Sequence, residues 1–315
     1  MKKKYKIFLF VVIAFFFLSL FFFIGNKKFS KVKIIRISPK LSSRAIASLL
    51  KEEGIIKSEN LFILLLKLTG KEKRLQAGLY ELKSWSTPLV IINKLAKGEV
   101  AIISFTIPEG YTVVQIANLL EKKKLCSAED FIKIANEREL EGFLFPARYT
   151  IPSSVSVEGI ISIMQEKFKE VINGYQEKLK GKSLKNIVIL ASIIEKEAQK
   201  DSGRPIVASV LYNRLKKHLP LESCVTIEYA LGEHKARLSS KDLLLDSPYN
   251  TYRKQGLPPG PICNPGKASL EAAISPAKTK FLFFVSKGDG THTFSETYTQ
   301  HLIGKEKLQK AGKSN

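Results

Sequence analysis

Two glutamates separated by a single lysine, Glu195 and Glu197 in the segment ASIIEKEAQ, follow directly on an apolar run with the spacing of a buried helix. On a helical wheel at roughly 100° per residue, Ile187, Leu190, Ala191, Ile194 and Ala198 form one stripe. Lys196 points away from that stripe, and Glu195 and Glu197 fall on its two flanks. A carboxyl held against apolar surface loses solvation of its ionised form, so its pKa rises and it can donate a proton near neutral pH. Cleavage of a glycosidic bond requires such an acid. The same periodicity accommodates a plainer arrangement, helix-flank glutamates in weak surface ion pairs. It leaves the two residues equal.

Other chemistries find little footing. The chain contains no H-E-x-x-H, phosphate-loop or G-x-S-x-G pattern, and its four histidines, His218, His234, His292 and His301, are scattered. No metal and no cofactor is therefore expected. Asn264 in GPICNPG and His292 in GDGTH lie in turn-forming segments, which account for both residue types, and His292 is read as structural. Cys126, Cys224 and Cys263 lack zinc-site spacing and are read as structural, with room for one bridge.

The elements that must position these residues begin with a duplication. RISPKLSSRAIASLLKEEGIIKSENLF and TIPEGYTVVQIANLLEKKKLCSAEDF align so that Ile46 and Ile116 correspond, an offset of 70 (116 − 46). Each copy reads as a short strand, a turn and an amphipathic helix, with Ser42 and Thr112 as N-caps. A Tyr-bearing strand and a further helix follow each, giving a β-α-α-β-α unit twice over. Two copies are too few for a solenoid, so two small α+β modules in series are expected. KGEV at 97–100 and KGKSLKN at 180–186 serve as joints. Beyond them come a long helix, a second helical segment at PIVASVLYNRLKKHLPLES, and a Gly/Pro-rich last third of the ordered-loop kind that commonly carries function.

At the other end of the chain, Ile7–Ile24 is an uncharged apolar run of 18 residues, enough to span a hydrocarbon core. It exceeds a signal-peptide core and lacks a small-x-small cleavage site, so it is read as an uncleaved transmembrane anchor. Lysines flank it on both sides; the short basic tail is placed in the cytoplasm and everything after residue 25 outside. The chain carries 51 Lys+Arg against 29 Asp+Glu, a formal charge of +22. Outside the cytoplasm this charge suits anionic lipid and wall polymers, and nucleic acid is excluded as a partner.

LASIIEKEAQ, RPIVASVLYNRL, LPLES, TIEYALG, SPYNTYRKQGLPPGPICNPG and SLEAAISPAKTKFLFFVSKGDGTHTFSETYTQH occur in one order. In that ordered set the chain resembles the endolytic murein transglycosylase, or YceG-like, family over nearly its whole length. The resemblance implies an enzyme of the inner (plasma) membrane, single-pass, whose outer domain cuts peptidoglycan strands internally between MurNAc and GlcNAc. It leaves 1,6-anhydroMurNAc ends and terminates strand elongation. The implied partners are glycan strands, membrane lipid and peptidoglycan synthases. The first glutamate of the A-S-I-[IV]-E-K-E segment is matched to the family's acid, which selects Glu195 as catalyst with Glu197 in reserve. Tyr249, Asn250 and Tyr252 of SPYNTY, together with Asn264, are assigned to substrate binding. So are Glu222, Ser223 and Thr226, in a segment the family usually writes L-Q-S-D-P-T-V. Here Glu222, Cys224 and Val225 replace its Gln, Asp and Pro, so no role of that Asp is carried over.

The expected fold is α+β: a single N-terminal transmembrane helix, duplicated small LysM-like modules, then a mixed α/β catalytic region with a long catalytic helix and Gly/Pro-rich loops. The boundaries are a cytoplasmic tail 1–6, the anchor 7–24, a membrane-proximal module 33–100, and a second copy 101–180 leading into the catalytic domain. The catalytic region 181–303 and a basic tail 304–315 complete the chain. A lysozyme-like muramidase and a non-catalytic wall-binding scaffold are the alternatives.

Overall fold

The computed structural model describes residues 32–84, 86–235 and 238–312. The expected anchor, Ile7–Ile24, and its basic tail lie outside them. No helix among the described residues is long and apolar enough to cross a membrane.

The chain divides into two compact units, one running up to Ile103 with Thr150–Ser154 added, the other comprising Ser104–Tyr149 and the residues from Val155 onward. The first unit contains strand β1 (Val32–Ile37), helices α1 (Ser43–Glu52) and α2 (Glu59–Leu68), strand β2 (Gly78–Lys83) and helix α3 (Pro88–Lys97). β1 and β2 pair antiparallel with Ile35 opposite Tyr80. Ile35 and Ile37 alternate inward from β1 and meet Leu50, Phe62, Leu66, Tyr80 and Leu95 in one core. The Tyr80 hydroxyl, buried with the ring, donates to the Gln76 carbonyl at 2.8 Å.

The same order then recurs as β3 (Ile102–Thr106), α4 (Val113–Lys122), α5 (Ala128–Glu137), β4 (Arg148–Pro152) and α6 (Val157–Asn173). The duplicated β-α-α-β-α unit read from the sequence is therefore present. Both proposed caps form: Ser42 accepts from the Ala45 N–H, and Thr112 accepts from Gln115 N–H within a reciprocal capping box. The division between the two compact units falls within β3 and β4. Residues 104–149 and 155–180 share a unit with everything that follows.

That unit is organised around helix α8 (Leu184–Glu197), which follows the short α7 (Gln176–Leu179). Ile187 through Ile194 are buried without interruption, so only the first and last turns of the helix reach solvent. The wheel saw one stripe. Small partners, Ala208, Ala272 and Ala273, let helices α9 (Arg204–Lys216) and α12 (Lys267–Ile274) close on it from several sides. Between them lie α10 (Cys224–Leu231) and the one-turn α11 (Ser240–Leu243). A β5–β6 hairpin (Phe283–Ser286, His292–Ser295) follows, and helix α13 (Tyr298–Gly312) occupies most of the expected basic tail.

Candidate active site

Helix α8 ends where its apolar run stops, and the two glutamates meet different surroundings there. The Glu195 side chain is only 7% exposed and pairs with the equally buried Arg204, whose Nη1 lies 3.1 Å from its Oε1. Its other oxygen, Oε2, accepts the Gly266 N–H at 2.8 Å. Arg204 is in turn held by Asp201, 3.0 Å away, and by a short hydrogen bond to the Ser269 hydroxyl. Both Glu195 oxygens are thus engaged as acceptors of a fixed carboxylate.

No cation among the described residues pairs with Glu197. Burial pushes its carboxyl above the ordinary range, the Ser223 hydroxyl draws it back, and the charge of Glu228 pushes it up again. The Ser223 Oγ donates to Glu197 Oε1 at 2.6 Å. Ser223 is fixed because its own N–H donates to the Thr251 hydroxyl at 3.0 Å. One residue on, the helix breaks at the extended Ala198, leaving Glu197 as its last residue. The His292 ring bonds to the Glu197 backbone, and burial holds its pKa below the usual value.

Several expected substrate contacts are part of the framework. Asn250 is fully buried and donates to the Leu243 and Leu245 carbonyls, at 3.0 and 2.8 Å, pinning its own loop. Thr226, also fully buried, bonds to the Ser223 carbonyl and the Thr251 hydroxyl. Asn264 is fully buried too, accepting the Leu144 N–H and donating to the Tyr111 carbonyl and to Glu141. These three side chains offer substrate no surface. Glu222 is exposed but its carboxyl pairs with Arg214. Ser223 touches Glu197, and Tyr252, partly exposed, lies with its hydroxyl 3.0 Å from the Cys224 sulfur. Cys224 and Cys263 are not bridged to each other.

Three carboxylates escaped the sequence reading. Glu228 stands one helical turn after Cys224, the spacing that puts two side chains on one helix face, and its charge bears on Glu197. Glu109, in the PEG turn before α4, sits against Gly266: a Cβ there would fall 2.0 Å from its carboxyl carbon. Burial, then the charge of Glu195, raise the Glu109 pKa. Only the turn motif marked it, and turns are common.

Glu141 is the third. Its oxygens accept the Val113 N–H at 3.1 Å and the Asn264 amide at 3.0 Å, with the Tyr229 hydroxyl at 3.4 Å. The neighbouring Gly142 has φ +87°, and a Cβ on it would meet Pro261 and Val188 below 3 Å, so the chain must pass here as glycine. Burial outweighs the hydrogen bonds and lifts the Glu141 pKa from 4.5 to about 7. Between those values the folded state binds the extra proton, so stability falls as pH rises, by on the order of 3 kcal/mol in full. Melting temperatures measured from pH 5 to pH 8 are expected to decline, and Glu141→Gln to flatten the decline, the residue belonging to Glu197. A Gln variant with the wild-type slope would remove Glu141 as a cause.

Comparison with known proteins agrees with this architecture. The chain is 37% identical to the endolytic murein transglycosylase of Bacillus subtilis (strain 168) over 311 aligned residues, covering 89% of this chain and 86% of that one. It is 31% identical to the endolytic murein transglycosylase of Streptococcus pneumoniae serotype 2, covering 76% of this chain and about half, 52%, of the pneumococcal one. The crystal structure of a YceG-like protein from Listeria monocytogenes superposes with a TM-score of 0.61 at 34% identity, covering 87% of this chain and 99% of that one. The YceG-like family model matches residues 35–307, and the chain belongs to that family.

Proposed function

We propose that the protein is an endolytic lytic transglycosylase of peptidoglycan, with Glu197 as its proton shuttle. The observation that carries this reading is the contrast at the end of α8: Glu195 is locked to Arg204 and Gly266, while Glu197 pairs with no cation among the described residues, is lifted in pKa and is held by the Ser223 hydroxyl. The preference inferred from the family motif ran the other way. The names of the relatives supply the substrate class.

Glu197, protonated, gives its proton to the oxygen joining MurNAc C1 to GlcNAc C4. The C1–O bond breaks, GlcNAc leaves with its 4-hydroxyl, and an oxocarbenium-like centre forms. The Glu197 carboxylate then takes the proton of the MurNAc C6 hydroxyl as that oxygen bonds C1, closing a 1,6-anhydro ring and regenerating the acid. One carboxyl serves both steps, unlike the two-carboxylate arrangement of hydrolases. Tyr252 and Ser223 border the acid. The first unit would serve as a LysM-like wall-binding module, and the segment 7–24 as a single-pass anchor holding the enzyme near nascent strands, membrane lipid and the synthases, where cutting ends elongation.

Mass analysis of digested peptidoglycan tests the reaction. Anhydro ends are expected; reducing MurNAc ends alone would establish a muramidase, and no cleavage a scaffold. The pH profile tests the acid. Activity should fall as pH rises through the lifted Glu197 pKa, because the donor must start protonated. Ser223→Ala removes the bond that lowers that pKa, so the alkaline limb should move to higher pH. A limb that stays in place would separate the limb from Glu197.

A further inference from the structure

Within the second unit a cavity of about 810 Å³ opens beside Glu141, lined by Phe143, Gln165, Tyr229, Tyr249 and the Pro259–Pro261 turn. Its size lies within the range of ligand sites. We propose that it is a distal glycan subsite, holding one N-acetylhexosamine ring of the strand about a disaccharide away from the bond that is cut. The inference rests on the transglycosylase reading above.

Chemistry selects the ligand. Tyr229 and Tyr249 are partly exposed, with ring centroids 5.0 Å apart at an interplanar angle of 53°. They form a bent aromatic wall suited to the C–H faces of a sugar, with the Gln165 amide available to its hydroxyl and acetamido groups. The wall is braced from behind. The Tyr249 hydroxyl lies 2.9 Å from where a Cβ of Gly260 would be, and the Tyr229 hydroxyl donates to Glu141 at 3.4 Å.

Charge argues against an anionic ligand. Although the chain as a whole is strongly basic, Lys169 is paired with Glu166 at 2.8 Å and Lys185 with Glu139 at 3.5 Å. Arg138, the remaining cation on the lining among the described residues, is exposed to solvent, which screens its charge. A wall polymer read by its carboxylates or phosphates would call for unpaired cations; a hydroxyl-rich ring does not.

Position gives the register. Ser223, which holds Glu197, occupies the position just before α10, and Tyr229 stands six residues further along the chain, within that helix. At 1.5 Å per residue that is about 9 Å along the axis. An enzyme that cuts inside a strand must accommodate sugars on both sides of the bond, and the cavity supplies room for one of them.

The test uses Gln165→Trp, which fills the cavity from a partly exposed position on α6, with Tyr249→Ala as a second variant. Both are checked for wild-type melting. Wild type and variants are compared on long glycan strands and on a short strand fragment that reaches only the cut site. The long-to-short ratio of kcat/KM is expected to fall at least tenfold, through KM. In parallel, chitotetraose is titrated into Glu197→Gln protein, and the Tyr229 and Tyr249 ring signals should shift in NMR spectra; adding Gln165→Trp should abolish the shifts. An unchanged ratio, or chitotetraose binding that leaves both rings unmoved, would overturn the subsite. A wild type that cuts neither substrate would overturn the enzyme reading instead, and the titration would still decide the subsite.

Discussion

Glu197→Gln is expected to lower the rate of glycan cleavage by a factor of about 10²–10⁴, the usual contribution of a positioned acid, without loss of fold. Glutamine has nearly the volume of glutamate and keeps an oxygen for the Ser223 hydroxyl, 2.6 Å away in the parent. It also removes a carboxyl whose ionised form is penalised by burial, so the melting temperature should hold or rise. Loss of activity with retained stability marks a residue that functions in the reaction rather than in the framework. Glu195→Gln should show the opposite pattern, a lower melting temperature and residual cleavage at temperatures where the variant stays folded. Should Glu197→Gln cut strands at the wild-type rate while folded Glu195→Gln is inert, the acid is Glu195, as the family motif alone suggested.

Why the sequence could not separate these two residues is a matter of distance along the chain. Their difference is made by Arg204, by the Gly266 N–H and by Ser223, none of them within one helical turn. A wheel reports only the element's own faces. It placed Lys196 correctly in solvent but read a single buried stripe, whereas Ile187 to Ile194 are all buried, because neighbouring helices with small residues approach closely. The local features were legible: the repeat at an offset of 70 (116 − 46) and the caps at Ser42 and Thr112. These rest on contacts within a few residues. Asn250, Thr226 and Asn264 show the converse. Residue type suggested sugar contacts, but an amide or hydroxyl fits the unpaired backbone groups of an ordered loop equally well, and only the fold reveals that these side chains are fully buried. Glu109 and Glu141 were invisible for the same reason, since the groups that define them come from Gly266, Asn264 and Tyr229.

The second large effect concerns the buried pair beside the acid. Glu195→Ala leaves the Arg204 guanidinium, with its side chain 7% exposed, facing an empty site. Removing one partner of a buried ion pair costs about 3–5 kcal/mol, because the remaining charge keeps its desolvation penalty without its counterion. Here Asp201 still holds Arg204 at 3.0 Å, but its own side chain is 80% exposed and its attraction is screened by water, so the lower end, about 3 kcal/mol, is expected. For a domain of this size that lowers the melting temperature by roughly 6–12 °C. If the loss comes from the stranded charge, replacing both partners should recover much of it: Glu195→Leu with Arg204→Met exchanges the pair for apolar groups of similar volume, a change that in other proteins is neutral or stabilising. A double-mutant cycle on melting free energies measures this directly. Additive losses would show that the pair has no coupling and that Glu195 is held by Gly266 alone. A strongly non-additive cycle, with the double variant folded and still cutting glycan through Glu197, would assign Glu195 and Arg204 to the framework that holds the end of α8 in place.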